Sequence, residues 1–180
     1  MRRIIIQGSS RSKGNTCKIV KILREGVRCD LLDLNLHTIN HYNYEHKNKH
    51  DDFLMLMRQI VEYDLIIFIT PVYWYSMSGL MKAFFDRITD CLKIEKETSR
   101  KLRGKYMAAI SCGSDDKEIE GFFVPFQKSA DYLGMTYVGS IHTWIERSSY
   151  PPEIVLNLIS EFAANLENKI LTSPRETGLL

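Results

Sequence analysis

Apolar residues recur along the chain in two rhythms. In residues 3–7, 28–34, 65–70, 106–111 and 136–141 they form short runs, several of them unbroken, such as LIIFI from Leu65 to Ile69. A strand covered on both faces reads this way, because both sets of alternating side chains are buried. Between these runs, apolar residues return every three or four positions, the spacing of one helical face. Phe53, Leu56, Met57, Ile60 and Val61 make one stripe, Met81, Phe84, Phe85 and Ile88 a second, and Phe122, Phe126, Ala130 and Leu133 a third. An earlier helix carries Ile19, Ile22 and Leu23 and stops near Gly26, while Gly134 ends the helix of the third stripe. The last helix follows Pro151 and Pro152 and buries Val155, Leu158, Ile159, Phe162 and Leu166.

Five strands alternating with five helices predict one α/β domain over residues 1–171, a parallel sheet with helices on both faces joined by right-handed crossovers. Residues 172–180, TSPRETGLL, read as a flexible tail. A chain of 180 residues can bury one sizeable core, and 44% hydrophobic with 26% charged content is ordinary for a water-soluble protein. The formal charge of +2 argues for neither a nucleic acid nor a membrane partner. It also differs from the strongly acidic surface expected of a small electron shuttle. Ile4, Ile5 and Ile6 are too short a run for a secretion signal, and no stretch is long enough to cross a bilayer, so a cytoplasmic location is expected. Cys17, Cys29, Cys91 and Cys112 lie far apart without a CxxC pair, which sets aside zinc ribbons and thioredoxin-type chemistry and leaves free thiols.

Candidate chemistry gathers in the loops after three strands. In such sheets ligands bind beyond the carboxyl ends, where the strand order reverses. The first loop, GSSRSKGNT from Gly8 to Thr16, offers hydroxyls, an amide, the cations Arg11 and Lys13, and Gly14 for close backbone approach. With a helix N-terminus behind it, this composition suits a phosphate. It is neither a Walker A loop, since Asn15 stands where Lys belongs, nor a G-x-G-x-x-G fingerprint. The plain alternative is a surface turn in which Asn15 or Thr16 caps the helix. The second loop, TPVYWYSMSG from Thr70 to Gly79, begins with Pro71, read as the end of strand pairing, and brings Tyr73, Trp74 and Tyr75 beside the first. A flat heteroaromatic ligand could lie there, or the rings could pack on the core or a partner subunit. The third, SCGSDD from Ser111 to Asp116, is a small polar turn at the same end.

Taken together, GSSRSKGNT, YDLIIFITPVYWYSMSGLMKAFFDR and SCGSD, in this order and spacing, resemble the NAD(P)H-dependent FMN reductase family of the flavodoxin-like superfamily. The resemblance implies a three-layer flavodoxin-like fold with a five-stranded parallel sheet in the order 2-1-3-4-5. It implies FMN as cofactor, NADPH or NADH as co-substrate, and a homodimer or tetramer with the flavin near the interface. Carried over, Ser9, Arg11, Gly14, Asn15 and Thr16, with Lys13 beside them, would hold the FMN phosphate. Pro71, Val72, Tyr73 and Trp74 would border the ring, and Ser111, Gly113 and Ser114 would close its far side. Cys112 reads as a small filler. No side chain is assigned as a catalytic acid or base, since the cofactor carries the chemistry. The expected reaction moves a hydride from NADPH or NADH onto FMN and then reduces a small-molecule acceptor by a ping-pong route. The acceptor could be a quinone, nitroaromatic, azo compound, flavin or metal ion.

Relatives that bind an iron–sulfur cluster carry cysteines after the second strand, and this chain has none there. The same segment holds His37, His41, His46 and His50, whose spacing does not keep all four on one helix face and whose neighbours Lys47 and Lys49 would repel a cation. A solvated, mobile or partner-contacting loop is expected there, and no metal site. Two rival functions stand beside the enzyme: a flavodoxin-type electron carrier served by a partner reductase, and a regulator that has lost its cofactor.

Overall fold

A computed structural model describes residues 1–146 and 150–172. The expected tail 172–180 lies outside them except for Thr172, which closes the last helix. The order is β1 (Arg3–Gln7), α1 (Asn15–Gly26), β2 (Asp30–Asp33), α2 (Asp52–Ile60), β3 (Leu65–Tyr73), β4 (Ser76–Met77), α3 (Gly79–Ile94), α4 (Lys96–Arg100), β5 (Tyr106–Gly113), α5 (Val124–Leu133), β6 (Thr136–Trp144) and α6 (Glu153–Thr172). Among these, β2, β1, β3, β5 and β6 are parallel neighbours in that order. The expected five-strand path is therefore present, but β4 adds a sixth strand, antiparallel to β3 and off the path, which shifts the numbering of the last two. Among the described residues no helix is long and apolar enough to cross a membrane.

Strand side chains divide by parity between two cores. Ile4 and Ile6 of β1, Ile66 and Phe68 of β3, and Met107 and Ala109 of β5 face α2, α3 and α5. Ile5, Leu65, Ile67, Ile69, Ala108 and Ile110 face α1 and α6. This alternation is why unbroken apolar runs were needed: every residue of a central strand is a core residue.

The strands outlast their apolar runs at the carboxyl end. Pro71 does not end pairing as expected; it lies inside β3, in register with Cys112. Gly8 donates its backbone N–H to Ile69 O on the β1 side, so the donor that Pro71 lacks would face the gap left once β1 has turned away. Ser78 ties this exit together. Its hydroxyl donates to Gly8 O at 2.6 Å and accepts from Met81 N at 3.0 Å, while its own N–H donates to Thr70 Oγ1.

The histidine-bearing segment is tied down rather than free. Arg87, fully buried on α3, donates from Nε to Asp90 and from its two terminal nitrogens to Asp51 and to the carbonyls of Asn40 and Asn48. His46, at φ 52°, meets Asp90 at 2.6 Å. Among the described residues no three His, Cys, Asp or Glu side chains converge to hold a metal. Burial alone would lower the Arg87 pKa, but the hydrogen bonds and charges of Asp51 and Asp90 raise it. Burial pushes the Asp51 carboxyl up, yet Arg87 and the backbone N–H groups of Asn40 and Phe53 hold it below its ordinary value. That depression makes the contribution of Asp51 full above the ordinary carboxylate pKa and lost as pH falls through the lowered one. Arg87→Met should cost about 3–5 kcal/mol in urea unfolding at neutral pH, the range for one partner removed from a buried pair. Asp51→Asn should flatten the acid limb of the stability profile, below the ordinary carboxylate range, relative to the parent.

Candidate active site

The carboxyl rim of the sheet carries two clefts that share a wall. The first, of about 180 Å³, is lined by Ser9, Arg11, Gly14, Asn15, Thr16, Pro71, Val72, Tyr73, Cys112, Gly113, Ser114 and Ile145. The second, of about 330 Å³, lies across Val72, Gly113 and Ser114 and adds Trp74, Tyr75, Asp115, Lys117, Ile119 and His142. Of the residues expected at a site, the structure brings Ser9, Arg11, Gly14, Asn15, Thr16, Pro71, Val72, Tyr73, Gly113 and Ser114 to the first cleft and Trp74 to the second. Lys13 is exposed and lines neither, and Ser111 is fully buried behind the wall.

The first cleft lies at the N-terminus of α1. Gly14, not Asn15 or Thr16, stands at the N-cap of α1, and no side chain caps the helix. The capping alternative thus fails: Asn15 turns its amide to Ile145 O at 3.4 Å and accepts from Lys18 at 3.3 Å. Cys17 N–H donates to Gly14 O at 3.1 Å, and the helix N-terminus turns its partial positive charge toward this cleft. Arg11 lies across Gly14, its Nε 3.6 Å from where a Cβ would stand. Among the described residues the lining holds this one cation and no carboxylate. Gln7 donates to Ser12 O and Asp33, and Asn35 donates to Ser12 Oγ, fixing the loop from the β2 side. Ser10 Oγ meets Tyr73 OH at 3.0 Å and links the first loop to the second. Cys112 lines the cleft, but burial pushes its thiol up to about 11, so it is protonated and unreactive at neutral pH.

The second cleft takes its shape from a strained hairpin. Trp74 (φ 47°) and Tyr75 (φ 64°) are the two residues between β3 and β4, both left-handed, the backbone of a type I′ turn. Such turns favour Asn-Gly; two bulky aromatics there cost about 1–3 kcal/mol each. Trp74 and Tyr75 are 92% and 71% exposed, so hydrophobic burial among the described residues does not offset this. Opposite stands His142, one of the two residues that sequence reasoning missed most clearly. It lies within β6, and its Nδ1 is 2.7 Å from Ser111 Oγ while Nε2 is 3.0 Å from Asp115 O. With Nε2–H donating to the carbonyl and Nδ1 accepting from the serine, the ring pins the third loop. Gly113 leaves room for it, since a Cβ there would come 2.8 Å from His142 Cε1. The other missed residue, Ile145, closes the first cleft just past the end of β6. Neither lies in one of the three polar loops, and an isolated His in a strand that also holds Thr136, Ser140 and Thr143 carries no motif.

Replacing the turn by Trp74→Asn with Tyr75→Gly should raise the thermal midpoint, by removal of left-handed strain, while weakening whatever flat ligand the second cleft holds. Differential scanning calorimetry checks the first effect and ligand titration the second.

Residues 1–148 match the family model described as NADPH-dependent FMN reductase. The Bacillus subtilis (strain 168) protein YwqN, provisionally named an NAD(P)H-dependent FMN-containing oxidoreductase, is 26% identical over 151 residues, 78% of this chain and 83% of its own. Among solved structures, the Trp repressor binding protein from Bacillus subtilis aligns with TM-score 0.73 at 23% identity, covering 89% of this chain and 97% of that one. General stress protein 14 from Treponema denticola, solved in complex with FMN, aligns with TM-score 0.60 at 14% identity over 93% and 97%. These two structures show likeness of fold.

Proposed function

The chain belongs to the NADPH-dependent FMN reductase family, and from that premise we propose that its carboxyl rim holds FMN, takes hydride from NADPH or NADH and reduces a second small molecule by a ping-pong exchange. One observation carries the reading: a cleft at an uncapped helix N-terminus, with no carboxylate among its described lining residues, shares Val72, Gly113 and Ser114 with an aromatic-walled one. The donor set fits a phosphate monoester at the first and a flat ring across the shared wall. Arg11, the hydroxyls of Ser9 and Thr16, the Asn15 amide and the first-turn N–H groups would hold the phosphate. Pro71, Val72, Tyr73 and Trp74 would border the ring on one side, with Gly113 and Ser114 on the other. Ser111 would act from behind, through His142, and Lys13 through its charge alone.

Bound FMN supplies the hydride chemistry, and the protein supplies position and field. Backbone N–H groups of the second and third loops are the donors available to a polar ring edge. The cleft between Trp74, Tyr75 and His142 is the entry for nicotinamide and acceptor in turn, and its aromatic lining favours planar acceptors such as quinones, nitroaromatics, azo compounds or flavins over metal ions. A homodimer or tetramer would cover the exposed hairpin rings. The four free cysteines suit a cytoplasmic location.

The purified protein should carry a flavin spectrum that bleaches anaerobically on mixing with NADPH or NADH, without any partner reductase, and returns on adding a quinone. Bound flavin inert to both nucleotides would favour the electron carrier; a colourless chain that refuses added FMN would remove the reading. Arg11→Ala should weaken FMN retention by about 1–3 kcal/mol, the range for one charge-assisted bond, read by fluorescence titration.

A further inference from the structure

The opposite rim of the sheet has a feature that the flavin reading does not use. Where β1 begins and α1 hands over to β2, a cleft of about 470 Å³ is lined by Met1, Arg2, Arg3, Arg24, Arg28, Cys29 and Asp30. Of its seven described lining residues, four are arginines. β1 runs from this rim to Gly8, and five steps of about 3.3 Å put roughly 17 Å between the two sites. This cleft is therefore separate from the one at the carboxyl rim.

Among the described residues, the arginine charges outnumber their carboxylate partners. Arg3 pairs with Glu167 at 2.5 Å, but its Nε is buried with no hydrogen-bond partner. Arg24 spends Nε on the carbonyl of Cys29 at 3.2 Å, and Arg2 lies over the Tyr63 ring at 4.6 Å. Among the described residues, neither Arg24 nor Arg28 has a carboxylate within ion-pair distance. Among the described lining residues Asp30 is the one acid, and it accepts from Tyr63 OH at 2.7 Å. The field is felt by Cys29: burial raises its thiol, while the charges of Arg24 and Arg3 pull against that rise. Holding several guanidinium groups around one concavity costs repulsion that a bound anion would relieve.

We propose that this amino-rim cleft is a second phosphate-recognition site, taking a small phosphate-bearing anion between Arg24, Arg28 and the Arg2–Arg3 pair. The guanidinium forks match tetrahedral oxyanions by paired N–H donation, which chloride cannot accept in the same way. The ligand's source is either free phosphate or a phosphorylated metabolite, and both present the same group.

The test uses FMN-saturated protein, so that the carboxyl rim is blocked, in a phosphate-free buffer at constant ionic strength. Inorganic phosphate, pyrophosphate and glycerol phosphate are titrated separately while arginine Nε–H resonances are followed by NMR. Saturable shifts confined to Arg2, Arg3, Arg24 and Arg28 support the site, and the tightest of the three probes identifies free anion or ester as the source. Arg24→Gln with Arg28→Gln should weaken the tightest probe at least tenfold, with the thermal midpoint in chloride checked against the parent. Linear shifts matched by chloride, or saturation undiminished in the double variant, would overturn the proposal. Failure of the flavin reading shows separately, as lack of colour and of FMN uptake, and the same titration then proceeds on the protein as purified.

Discussion

The hydrogen bond from Ser78 to the carbonyl of Gly8 is the constraint from which the carboxyl rim is built. It joins the residue that caps α3 to the residue where β1 leaves the sheet, so two loops that must share a ligand leave from one fixed point. Gly8 has no freedom to vary. A Cβ there would lie 2.7 Å from Met81 Cε and 2.9 Å from Met81 Cβ, and both Met81 and Ser78 are buried. Because the same serine N–H reaches Thr70, the exit of β1, the extension of β3 and the start of α3 are positioned as one unit. The clefts inherit their geometry from that junction.

From it follows a division of labour between stability and function. The two cores by parity fill both faces of the sheet with apolar side chains, and they tolerate a rim that is locally unfavourable. That rim contains an uncapped helix start, a guanidinium held over it, and a left-handed Trp-Tyr pair exposed to water. Each feature lowers stability in the free chain and makes sense where a ligand supplies the missing partner. His142 shows the converse. Both ring nitrogens are satisfied within the protein, so it fixes the third loop before any ligand arrives.

What the sequence made legible depended on how local the cause was. Apolar runs and helical stripes announced strands and helices because burial on one or both faces is written in neighbouring residues. The first loop announced itself by its density of hydroxyls, glycines and cations. Less visible were features caused by distant partners. The extension of β3 through Pro71 depends on pairing with β5 on one side and the departure of β1 on the other. Arg87 falls between Phe84 and Ile88 on a stripe of α3 and reads as a polar interruption, yet it is fully buried because Asp51 and Asp90 meet it there. The Trp74–Tyr75 turn contradicts the residue preferences of its own backbone shape, so no rule of turn chemistry could have found it.

The small net charge also hid more than it told. A formal +2 describes a nearly neutral protein only if the charges are evenly spread. Many are matched in place: Arg87 with two aspartates, Arg58 with Glu95, Lys101 with Glu62, Lys82 with Asp86. Each such pair cancels at a distance and contributes little to the field a small anion would feel. Arg11 at one end of the sheet and Arg24 and Arg28 at the other stand outside these ion pairs among the described residues. Arginines outside ion pairs among the described residues therefore line a cleft at each end of the strands. On the carboxyl rim the α1 N-terminus adds to that charge. On the amino rim the described lining has no helix N-terminus and relies on side-chain charge, so substitutions there should act more nearly one charge at a time than they do beside the helix.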